Sequence, residues 1–163
     1  MQLTRRLGYL LALLAPIASA AELVGSTVPP YPEGLISKYG SCVALSLGVK
    51  RECDYAVGIL ERPDGKPVVL VGERLVKRDD QRKAIWIITD TLPYPTLPEG
   101  YLLAIANCRI DGKADRTIIA AVRNEDAEWL GTVLWARRFD LSKEKFMEQS
   151  TAGVQCQNEA AGL

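Results

Sequence analysis

The 163-residue sequence contains no histidine. Without an imidazole, Ser-His-Asp and Cys-His nucleophilic arrangements are unavailable, as are His-ligated zinc and haem sites. The chain also lacks a glycine-rich phosphate loop, and the acids around Gly112, Asp111 and Asp115, leave the other ligand positions of an EF-hand pattern unfilled. Neither charge sign is in excess, with 20 Lys and Arg against 20 Asp and Glu. A balanced chain has no field to hold nucleic acid or an anionic membrane surface, so no nucleic-acid partner is expected.

The apolar run at the N-terminus is too short to span a membrane as a stable helix. Arg5 and Arg6 precede residues 7–18, which contain Leu10, Leu11, Leu13 and Leu14, and Ala18-Ser19-Ala20 follows. A basic start, a run of about a dozen apolar residues and an A-x-A site describe a secretory signal peptide. Removing residues 1–20 leaves 18 basic against 20 acidic side chains and no stable membrane insertion is expected afterwards. A periplasmic or secreted location follows as the expectation.

Four cysteines, Cys42, Cys53, Cys108 and Cys156, all lie beyond that site. An even number in an exported chain reads as two disulfides, and pairing neighbours (Cys42 with Cys53, Cys108 with Cys156) closes the shorter loops. Their gaps of 11, 55 and 48 positions contain no C-x-x-C knuckle, so no metal site, cofactor or redox-active thiol pair is expected.

The organisation expected is a Pro-rich segment over 21–40, a single globular domain over 41–156 and a tail over 157–163. Residues 42–49 and 55–62 have strand character, and Pro63-Asp64-Gly65-Lys66 is a turn that joins the second of them to 67–71 as a hairpin. Residues 84–89 are apolar on both alternating faces, as an interior strand would be. A second hairpin is expected from 101–108 and 117–123 around Asp111-Gly112, and a third from 132–139 and 144–149. Together these predict a mainly β fold, with antiparallel hairpins forming a sandwich or open barrel. Asn124-Glu125-Asp126 before Trp129 and Leu130 predicts a short helix near 125–130. Its extension to 137 would make the fold α+β.

Function is less legible. The acids Asp79, Asp80, Asp111, Asp115, Glu125, Asp126 and Glu128 fall in turns, a charged link or that helix start, where solvation and turn geometry account for them. Tyr31 and Tyr94 each lie in a Pro-Tyr-Pro stretch that holds the ring on a stiff segment, and Trp129 is a further aromatic suited to a groove. These three are the candidate binding residues, with no catalytic residue assigned. The reading is an exported binding module, an inhibitor or envelope-associated protein, for an unknown protein or glycan partner. A carboxylate-dependent glycan-active enzyme and a structural subunit of an envelope assembly are the alternatives. The intact mass of chain recovered from the exported compartment is expected to begin at Ala21, and a mass retaining residues 1–20 would refute the signal assignment.

Overall fold

The computed structural model describes residues 20–45 and 52–159. Residues 1–19 of the expected signal peptide, the end of the strand expected over 42–49 and the last residues of the expected tail lie outside the described residues. None of the described helices is long and apolar enough to cross a membrane.

The fold is nearly all β, as the hairpin pattern predicts. A one-turn helix, α1 (Ala20–Leu23), and a short strand, β1 (Thr27–Val28), precede four long strands: β2 (Ile36–Leu45), β3 (Cys53–Glu61), β4 (Pro67–Arg78) and β5 (Ala84–Pro93). These form one antiparallel sheet in the order β1-β5-β4-β3-β2, here sheet A. The Pro63-Asp64-Gly65-Lys66 hairpin forms where expected. Gly65 donates to Arg62 O (2.9 Å), Arg62 donates to Lys66 O (2.9 Å), and the Asp64 carboxylate accepts the Lys66 N–H.

The remaining strands are β6 (Tyr101–Ile105), β7 (Cys108–Ile110), β8 (Lys113–Asp115), β9 (Ile118–Arg123), β10 (Trp129–Leu130), β11 (Val133–Asp140), β12 (Lys145–Glu148) and β13 (Val154–Gln157). Sheet B has the order β12-β11-β9-β6 and sheet C the order β10-β13-β7-β8. The second expected hairpin is thus two nested ones. β6 pairs with β9 in sheet B, but at Ala106 the backbone turns left-handed (φ 63°) and β7 and β8 leave for sheet C, joined at Asp111-Gly112. Glycine suits that tip because its φ of 77° is a conformation side chains disfavour.

Sheet B is the middle layer. Along β9, Ile118, Ala120 and Val122 pack against sheet C, while Ile119 packs against sheet A. A strand buried on both faces reads as a continuous apolar run, which is what Ile118-Ile119-Ala120-Ala121-Val122 is. The outer face of sheet A is covered in turn by the N-terminal segment. Leu23 and Val28 are fully buried there against Leu60, Val69, Val71 and Ile88, with Tyr31 and Leu35 packed alongside. The Pro-rich stretch accordingly does more than connect: β1 pairs with β5, and β2 begins at Ile36.

No helix forms near 125–130, which corrects that expectation and removes the α+β alternative. The carbonyls of Glu125 and Ala127 instead accept the Asn158 side-chain amide, and Glu128 O accepts the Asn158 N–H. Trp129 and Leu130 pair with Gln157 and Cys156, which buries Leu130 completely between sheets B and C. Further along, Arg137 pairs with Glu148 on the neighbouring strand β12, and Arg138 reaches Asp115 on β8 (2.7 Å).

Both expected disulfides are present, Cys42–Cys53 across β2 and β3 and Cys108–Cys156 across β7 and β13. Sheets A and B pack closely where the fully buried Phe139 ring lies on Gly72. A Cβ at Gly72 would overlap that ring, with Phe139 Cζ only 2.8 Å away. Gly72→Ala is therefore expected to lower stability by about 1–3 kcal/mol through overpacking. Urea denaturation checks this, and an unchanged midpoint would show that the ring can move aside.

Candidate functional site

A cavity of about 460 Å³ opens beside β6, one of the two edge strands of sheet B. Three layers contribute walls. Tyr39, Ser41 and Ile59 come from β2 and β3 of sheet A. Tyr94, held just beyond β5 by a hydrogen bond from its N–H to Val68 O (3.0 Å), closes the same side. Leu130 and the segment Gln157, Asn158 and Glu159 close the sheet C side.

The floor is β6 itself. Leu102, Leu103, Ala104 and Ile105 all line the space, although their side chains alternate between faces: Leu102 and Ala104 join the core with sheet C, and Leu103 and Ile105 the core with sheet A. What four consecutive strand residues share on one side is their backbone edge. Polar groups in the lining include several amides and the Glu159 carboxylate: Asn107 donates from Nδ2 to Gln157 O (3.3 Å) and Glu159 Oε1 (3.1 Å), and Asn124 also lines the space. Apolar walls with a few placed amides are the usual make-up of a ligand site.

The three aromatic candidates lie apart. Tyr94 lines this cavity, whereas Tyr31 and Trp129 are not among its described lining residues. Trp129, on β10, has the Arg109 guanidinium 3.7 Å from its ring centroid, and Arg109 is held by a 2.9 Å hydrogen bond from Nε to Gln155 Oε1. Tyr31 packs over sheet A and donates from its hydroxyl to Glu73 Oε1 (3.1 Å). Burial pushes Glu73 up to about 7, against which the Tyr31 hydrogen bond acts. Burial, reinforced by the Glu73 charge, pushes Tyr31 up to about 12.

Several acids have structural partners. Asp79 accepts the N–H groups of Gln81 and Lys83 in the β4–β5 turn. Burial raises the Asp115 carboxyl, but hydrogen bonds from Thr117 and Arg138 outweigh it and hold the group below the usual carboxylate range. Among the described residues, no three side chains of the His, Cys, Asp and Glu types cluster as a metal site.

Sequence reasoning missed the role of β6 and of the rim amides. The uncharged stretch Tyr101-Leu102-Leu103-Ala104-Ile105 was legible as a strand, but an edge position is a property of sheet order. Comparison with known protein families, with curated proteins and with solved structures finds none that matches the chain.

Glu73 gives a pH dependence whose sign follows from its raised value. The folded state holds this proton more tightly than the unfolded chain does, so the contribution is fully present below about pH 4.5 and is lost as pH rises towards 7. The loss amounts to about 3 kcal/mol. Glu73→Gln, which keeps a carbonyl oxygen for Tyr31, is expected to abolish this decline in urea midpoints between pH 4.5 and 7.5. An identical decline in the variant would assign it to other groups.

Proposed function

We propose that this chain is an exported, disulfide-stapled binding module, acting in the periplasm or outside the cell as an inhibitor or envelope-associated protein, with the cavity beside β6 as its binding site. The observation that carries the reading is the cavity itself. Its volume of about 460 Å³ falls within the range of small-ligand and peptide-side-chain sites, and its walls combine Tyr39, Tyr94, Ile59 and Leu130 with carboxamides. Apolar walls supply contact area, and amides that both donate and accept supply orientation.

The two disulfides suit an oxidising compartment, where they limit the unfolded chain's freedom without relying on a large core. Tyr94 is the candidate aromatic that belongs to this site. Its ring is part-buried beside Leu92 and Leu103 in the core between sheets A and B, so it presents a largely ordered surface.

Amide chemical-shift mapping of the mature chain tests the reading with three probes: short extended peptides, cell-wall-type oligosaccharides and a medium-chain fatty acid. Shifts concentrated on Tyr39, Leu103, Asn107 and Asn124 with one probe class, weakened by Tyr94→Ala, are expected. Oligosaccharide cleavage instead of simple binding would favour the glycan-active enzyme. Absence of localised shifts with all three would remove the cavity as the binding site.

A further inference from the structure

The hydrogen-bond pattern of β6 identifies the class of occupant, on the reading that the cavity is the binding site. In an antiparallel pair, alternate residues exchange both backbone hydrogen bonds with the partner and the residues between them point their N–H and C=O groups away. Ala106 N–H donates to Ile118 O and Asn124 N–H donates to Gly100 O, at the two ends of the β6–β9 ladder. The continuous register between them, Leu102 opposite Val122 and Ala104 opposite Ala120, makes Leu102 and Ala104 the residues bonded to β9. The N–H and C=O groups of Leu103 and Ile105 therefore face the other way, into the cavity, where no strand of the sheet lies among the described residues.

Other sheet edges carry features that discourage pairing. β1 and β10 are two residues long, β8 is three residues long with Lys113 and Asp115, β12 carries Lys145 and Glu148, and β2 has three register breaks and Lys38. Short, charged or bulged edges resist the addition of another strand. β6 is five residues long, uncharged and free of bulges along β9.

We infer that the cavity receives an extended polypeptide segment, which adds to sheet B as a strand beside β6 and bonds the backbone of Leu103 and Ile105. The two residues present donors and acceptors about 7 Å apart along the strand, the repeat that another extended backbone matches. Side chains of the added strand alternate between two environments. Those turned to sheet A meet Tyr39, Ile59 and Tyr94, and those turned to sheet C meet the polar segment around Gln157. Except for Glu159, the described lining is uncharged, so the fitting segment is itself uncharged and alternates apolar with polar residues.

The test screens a displayed library of eight-residue peptides that alternate apolar and uncharged polar residues, followed by synthesis of the tightest binder. N-methylation at successive positions is expected to weaken binding about tenfold at alternate residues and little at those between, because only every second N–H faces β6. Bound peptide should also slow hydrogen exchange at Leu103 and Ile105, while Leu102 and Ala104 are protected with or without it. Loss of affinity without a period of two, or unchanged exchange at Leu103 and Ile105, overturns strand addition. Protection of these two amides without peptide also overturns it, assigning the edge to a second copy if it depends on protein concentration and to the chain's own residues if it does not. If no library peptide binds while the oligosaccharide or fatty acid still shifts the cavity resonances, strand addition fails and the binding-site reading survives. If nothing binds, both fail.

Discussion

The contact between Phe139 and Gly72 sets how the layers stack. Phe139 is fully buried on β11, with its ring edge-on to Phe146 (5.3 Å between centroids) and tilted to Tyr55 (6.2 Å). Gly72 lets β4 approach that ring to a distance a side chain would forbid. Sheet A is thereby seated on sheet B with Val57 and Leu70 against Ile119, and Ile59 alongside Leu103 and Ile105 at the β6 end. A fully buried aromatic or branched aliphatic side chain contributes roughly 1.5–3 kcal/mol, so the few large residues of this layer carry much of its stability.

Once sheet B is the middle layer, both of its faces need cover. Sheet C supplies the second cover through Leu130, Val154 and the Cys108–Cys156 bridge, all packed against Ile118, Ala120 and Val122. The cover is complete over β9 but, among the described residues, runs out at β6, where the two cores meet an edge with backbone groups unpaired by the sheet. The cavity is the consequence of this geometry. Its walls belong to the two covering sheets and its floor to the edge of the sheet they enclose.

The N-terminal segment adds a polar element to an otherwise apolar packing. Glu73 is buried on the face of β4 that also carries Val69 and Val71, and its hydrogen bond from Tyr31 ties the segment to the sheet. A carboxyl in such a place is held near neutrality by burial rather than by a paired cation. The Tyr31 ring thus has a packing role independent of any ligand, whereas the Tyr94 ring serves both the core and the cavity wall.

Most strands were legible because local chemistry marks them. Pro-Asp-Gly-Lys and Asp-Gly encode turns through backbone angles, alternation marks half-buried strands, and the unbroken run at 118–122 marks burial on both faces. Cysteine number and spacing also pointed to the two bridges that form. The segment near 125–130 misled because acids before an apolar pair suit a helix start and a strand entrance alike, and hydrogen bonds from Asn158, more than 30 residues away, decide between them. Likewise, the sequence of β6 specifies a strand but not an edge. Edge position depends on Ala106 diverting the chain into sheet C and on Cys156 lying opposite Cys108, which are long-range pairings with no local signal. The sequence by itself determined the main turns and most of the long strands, since each rests on neighbours along the chain. Only the tertiary structure decided which strand edge stayed open and which side chains surround it, because those depend on how three sheets share one core.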